Sequence, residues 1–129
     1  MARHIIDARR DTSTGGFTTA PSISSVSSSS LTIGITSKLS EEVTCIVVVS
    51  GSTTWGSDAD NVNGYSSASG DVKAVAKSTG TSYSETISSG LTAGTEYDVV
   101  CATSTSRVLS ATTDATTSGG GQTIGSVTL

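Results

Sequence analysis

Apolar and polar positions alternate along most of this chain with the period of a β-strand. Residues 21–30 hold Ile23 and Val26 among serines and read as a short edge strand, with Pro21 placed where its missing N–H does no harm. Residues 31–36 alternate strictly, so Leu31, Ile33 and Ile35 share one face. Lys38 to Glu42 reads as a polar turn. Residues 43–50 are apolar on both faces: Val43, Cys45, Val47 and Val49 on one, Ile46 and Val48 on the other. Such a strand is central or has a covered outer face. Further strands are expected at 72–78, at 82–88 with Tyr83, Glu85 and Ile87 on one side, at 95–103 with Tyr97, Val99 and Cys101 on one face, and at 107–113 around Val108. Within the polar stretch 51–70, Ser57 is a candidate cap for one short helical turn through Val62. Short strands with turn residues between them predict an all-β, antiparallel sandwich of seven strands.

Two tails flank this body. Residues 1–19 carry Arg3, Ile5, Ile6, Arg9 and Arg10 with Asp7 and Asp11, and are expected to form an arm. The body spans 20–115, and 116–129 is a Gly hinge followed by a β-like tail with Ile124, Val127 and Leu129. An isolated strand has no stability of its own. Both tails are therefore expected to order on other subunits of an assembly.

Composition narrows the classes. The chain has 129 residues, of which 26 are Ser and 22 Thr, with 34% apolar and 4% aromatic residues. Small hydroxyl side chains tile the outer faces, and Thr suits strands in its own right. The sequence holds no apolar run of the length that crosses a membrane, so no membrane partner is expected. The net charge of −4 hides a division: residues 1–11 carry +1 and the remainder −5. A mildly acidic body with a slightly basic arm is no nucleic-acid footprint. The first residues also lack the apolar core of a secretory signal. Either a signal has been removed or the protein leaves the cell by another route, such as release within a virus particle.

Catalytic and metal chemistry find little to build on. The single His4 sits in the arm, away from any candidate nucleophile. Asp58 to Gly64 invites a calcium reading, but an EF-hand needs an oxygen ligand at its fifth position and Gly at its sixth. Val62 and Asn63 stand there, and Ser69 occupies the twelfth. The stretch reads as a polar loop, and no cofactor, metal or enzymatic activity is expected. Gly119, Gly120 and Gly121 lack the strand-to-helix context of a phosphate loop. Trp55 and Tyr65 either form an exposed pair that stacks on glycans or close a loop over the edge of the sandwich. Cys45 and Cys101 are 56 positions apart, which is no metal spacing, and they form either a disulfide or two buried thiols.

The stretch Leu91-Thr92-Ala93-Gly94-Thr95-Glu96-Tyr97-Asp98-Val99-Val100 resembles the region between the fifth and sixth strands of fibronectin type III domains. Pro21, the alternating strand at 31–35 and the apolar strand at 43–49 extend the likeness over residues 20–115. The Trp usual in the second strand is absent, since Ile33 or Ile35 stands there, and Trp55 falls in a loop. The resemblance implies a tyrosine corner in which Tyr97 bonds back to the backbone near Leu91. It also makes 43–49 and 95–103 antiparallel neighbours, with Cys45 and Cys101 pointing into the core and their Cα atoms within about 7 Å. A bridge there would contribute about 4 kcal/mol on the chain-entropy model. The family consists of non-catalytic binding and spacing modules found on virus particles and cell surfaces. The expected role is accordingly a structural protein of a virion, a capsid decoration or tail component, whose partners are copies of itself and other subunits. The alternative is a secreted adhesion or carbohydrate-binding module that meets surface glycans.

Overall fold

The computed structural model describes residues 15–119. Five strands and one short helix follow in chain order: β1 (Ser22–Ser24), β2 (Leu31–Val49), α1 (Ala59–Gly64), β3 (Val72–Ile87), β4 (Glu96–Thr103) and β5 (Thr113–Thr116). The chain is all-β in class. All strands join one antiparallel sheet, ordered β1-β2-β4-β5 with β3 also paired to β2, and the sheet curls into a half-barrel.

The structure has five strands where seven were expected, because two long strands run through positions expected to hold four short ones. β2 is unbroken for 19 residues and β3 for 16. Lys38 to Glu42, expected as a turn, lies within β2, and its polarity has another cause. The β2–β3 register slips between Thr36 and Glu41, so residues 37–40 of β2 stand opposite the single residue Thr81, next to Gly80. The Ser37 Oγ lies 2.9 Å from Leu39 O and 3.0 Å from Gly80 O, so its single proton is shared between two carbonyls at the slip. Gly80 takes φ +136°, a conformation that side-chain-bearing residues rarely adopt. Bulges of this kind bend a strand and increase its twist. Polar residues at a bend inside a strand and polar residues at a turn carry the same sequence signal.

The last expected strand is also displaced. Leu109 makes a single bridge to Ala102, and a ladder forms only at Thr113–Thr116. Ser110 interrupts it: its Oγ accepts the Cys101 N–H at 2.9 Å and donates to Ala111 O at 2.8 Å. In the helix, Asp58 rather than Ser57 is the cap, accepting the Asn61 N–H at 2.8 Å. A carboxylate at this position also meets the positive end of the helix, while Ser57 is held at φ 59° in the turn before it.

The alternation of β2 divides two cores. Leu31, Ile33, Ile35, Val43, Cys45 and Val47 lie in the inner core with Tyr83, Tyr97 and Val99. Ile46 and Val48 face outward, where Trp55, Val62, Val72 and Val100 cover them. The apolar character of both faces at 43–49 thus follows from the 50–70 segment folding over the sheet. Part of the expected arm belongs to the fold, since Phe17 bridges to Ser37 and the Thr18 N–H donates to Thr36 O. So does the start of the expected hinge. Thr116 is in β5, and Thr117 is 2% exposed with its hydroxyl donating to Thr92 O.

Cys45 and Cys101 face each other directly in the β2–β4 ladder and are joined by a disulfide, with Cα atoms 4.0 Å apart. The crosslink closes a loop spanning 56 positions through strands that every other strand leans on. Replacing both cysteines by serine is expected to lower the unfolding free energy by about 3–5 kcal/mol. Urea denaturation checks this, and an unchanged midpoint would show that the crosslink adds nothing beyond packing.

Candidate functional site

Tyr97 stands at the start of β4, 2% exposed, and its hydroxyl oxygen accepts the Thr92 N–H at 2.7 Å. Alternation along β4 puts its ring in the inner core, and the tight turn at Thr92–Gly94 returns the backbone to within reach of its oxygen. Leu91 packs half-buried against the same core. Thr117 completes the corner, with its Oγ1 accepting the Thr95 N–H at 3.0 Å. Ser118 is therefore held at a fixed point. The Ser118 N–H donates to Ser27 O, and Ser118 O accepts the Gly94 N–H.

A second anchor, at the opposite end of β4, is absent from the sequence expectations. Glu41 is only 7% exposed. Its carboxylate accepts the Thr105 N–H and Ser106 N–H at 2.7 Å each and the Ser106 hydroxyl at 2.6 Å. Burial alone would raise its pKa, but the Ser106 hydroxyl and the two N–H groups outweigh it and hold the carboxyl below its ordinary 4.5. The signal for this role was parity. Glu41 shares the odd-numbered, inward face of β2 with Leu31, Ile33, Ile35 and Val43, where a solvated carboxylate has no place.

Trp55 and Tyr65 meet at the outer core. Trp55 is 8% exposed, and its indole N–H donates to Ser52 O at 2.8 Å. Tyr65 packs half-buried on the same cluster. Together with Thr54, Gly56, Asp60, Asn61 and Gly64 they line an open groove of about 470 Å³. The indole mainly closes the 50–70 segment over Ile46 and Val48 and leaves little ring face for a sugar.

The carboxylates of the presumed polar loop are engaged within the chain. Asp58 caps α1, and Asp60 takes a two-pronged pair from Arg107 at 2.8 and 2.7 Å. These Arg107 hydrogen bonds are the main reason the Asp60 carboxyl is held below its usual range. Among the described residues no group of three or more metal-ligating side chains converges. On β4 and β5, Asp98 and Asp114 stand opposite each other on the outward face. A hydrogen bond to Asp98 and then its like charge raise the Asp114 carboxyl, with burial and Glu96 adding to the effect.

Arg3, His4, Ile5, Ile6, Arg9 and Arg10 lie outside the described residues, as do Ile124, Val127 and Leu129. Comparison of the chain with family models, with curated proteins and with solved structures found no match.

Both anchors can be tested by single substitutions. Tyr97→Phe leaves the Thr92 N–H without a partner in a buried corner and is expected to cost about 1–3 kcal/mol, read by thermal or urea unfolding. Glu41→Gln removes a charged acceptor from three donors and is expected to cost a similar amount at neutral pH. The folded state binds the Glu41 proton more weakly than the unfolded chain does. Its stabilisation is therefore complete above the ordinary carboxyl pKa and is lost as pH falls through the lowered one. Unfolding measured between pH 7 and pH 3 should thus show a shallower acid limb in Glu41→Gln, and parallel limbs would count against the assignment.

Proposed function

We propose that this chain is a non-catalytic structural component of a virus particle, a capsid decoration or tail protein. In this reading it assembles with copies of itself and with other subunits through its tails and its sheet edges. The observation that carries the proposal is the open sheet: among the described residues β3 pairs only with β2 and β5 only with β4, so the half-barrel ends there in strands with one side unpaired. Unpaired strand edges are templates for another chain. The disulfide supports a place of work outside a reducing cytosol. We read the fold as a fibronectin type III-like sandwich of seven strands in which β2 and β3 each supply two. Support comes from the pairing. Residues 31–36 join β1 and 82–87, whereas 43–49 join 72–78 and β4, and the inner core lies between these two groups.

The groove beside Trp55 and Tyr65 favours a second reading, a secreted adhesion or carbohydrate-binding module that meets surface glycans there. Light scattering and negative-stain microscopy of the full chain discriminate the two. Ordered oligomers or particles are expected, and monomers that bind a glycan array would favour the second. Removal of residues 120–129, which spares the Ser118 anchor, is expected to abolish assembly with little change in melting temperature. A truncated chain that assembles like the full one would remove the tail from the mechanism.

A further inference from the structure

The sheet has four edge stretches: β1, β5 and the two halves of β3. Three are blunted in ways that recur in proteins that avoid edge-to-edge pairing. β1 has three residues. β5 carries Asp114 opposite Asp98, so two such edges brought together would add carboxylates to carboxylates. Its flanks are also pinned, since Thr113 Oγ1 donates to Pro21 O at 2.6 Å and the Ser118 N–H to Ser27 O at 2.9 Å. On the first half of β3 the Tyr83 hydroxyl donates to Ala76 O at 3.0 Å. Gly90 lies so close there that a Cβ on it would overlap the Lys73 carbonyl oxygen. Lys73 and Lys77 add charge to the same stretch.

The second half of β3, residues 82–87, is the least guarded of the four: its one charged residue, Glu85, is half-buried on the face of Tyr83 and Ile87, and it has no lysine or proline. Its inner side pairs with residues 31–36 of β2, and no other segment among the described residues pairs with its outer side. Ser82, Ser84 and Thr86 are exposed, while Tyr83 and Ile87 are buried and Glu85 is half-buried. The exposed face is therefore a row of short hydroxyl side chains with no charge, lysine or proline.

We propose that this edge joins two copies of the chain, β3 to β3, antiparallel about a two-fold axis through Ser84. The inference rests on the assembly reading above and names its partner and surface. Charge sets the register. With Ser84 opposite Ser84, Ser82 faces Thr86, and Glu85 of each copy stands opposite Tyr83 of the other. A slip that placed Glu85 opposite Glu85 would set like charges face to face, which destabilises a ladder. The contact is self-complementary, as a two-fold interface requires, and it unites β1, β2 and β3 of both copies in one continuous sheet.

Three variants of the full chain test this. Ser84→Lys places two ammonium groups on the axis and is expected to weaken dimerisation at least tenfold in analytical ultracentrifugation, with the thermal melt confirming that the domain is folded. Ser84→Cys is expected to be trapped as a dimer by a short bis-maleimide, and Thr112→Cys, exposed beside β5, is not. The trapping decides the question if Ser84→Lys fails to fold. Oligomers that form unchanged with Ser84→Lys, or trapping that is no greater at Ser84 than at Thr112, would overturn this interface and leave the assembly reading standing. A full chain that is monomeric in solution and forms no particles would overturn both.

Discussion

The Cys45–Cys101 crosslink is the constraint on which the rest of the architecture depends. It joins β2 to β4, and β2 is the strand to which β1, β3 and β4 all pair. The cores on either side are made chiefly of Val, Ile, Ala and Cys, with few aromatic rings. Small side chains bury little apolar area each, and burial stabilises in proportion to area. A crosslink acts on the other side of the balance by reducing the freedom of the unfolded chain. Its position matters as much as its presence. Because the two cysteines are directly opposed, the bond fixes the register of the central pair, and a slip of one residue would turn every apolar side chain to the wrong face.

Hydroxyl side chains then do the work that ladders cannot. At three departures from regular pairing a Ser or Thr supplies a partner: Ser37 at the β2 bulge, Ser110 between β4 and the start of β5, Thr117 after β5. Thr103 does the same before β5, accepting the Val108 N–H at 3.0 Å. Buried backbone groups must be paired somewhere, and a short hydroxyl both donates and accepts. The abundance of Ser and Thr therefore has two causes. Some coat exposed strand faces, and a buried minority allows the strands to bend without leaving orphaned carbonyls.

The sequence revealed most where side chains alternate against a core. Leu31, Ile33, Ile35, Tyr97, Val99 and both cysteines occupy the faces that period-two alternation assigned to them. Tyr97 bonds near Leu91, at Thr92, where the resemblance put its partner. Strand boundaries were less legible, because polarity at Lys38 to Glu42 marks a bend as readily as an end. Long-range polar contacts were illegible. Nothing local ties Glu41 to Ser106 or Asp60 to Arg107, since each pairing depends on which loops the folded sheet brings together. Trp55 shows the same limit from the apolar side. A lone aromatic in a polar loop gives no sign of which face it will cover, and only the outward-facing Ile46 and Val48 required a cover.

The arrangement of charges follows from the same geometry. Four of the acidic side chains in the described body are held by nearby donors: Glu41 by the 105–106 backbone, Asp58 by α1, Asp60 by Arg107, and Asp71 by the hydroxyls of Ser52 and Thr54. Asp98 and Asp114 are placed differently. They face each other across β4 and β5, where opposed like charges work against the ladder. Asp98 has one compensating contact, the Gly51 N–H at 2.8 Å, and this ties the start of the covering segment to the outer face. The Asp114 carboxyl is raised first by a hydrogen bond to Asp98 and then by its like charge. The carboxylate makes sense as a guard on an edge strand, since it disfavours stacking of one β5 on another. The two edges thus differ: β5 carries Asp114 opposite Asp98, whereas the single charge of residues 82–87, Glu85, is half-buried on the inward face and leaves the exposed face to Ser82, Ser84 and Thr86.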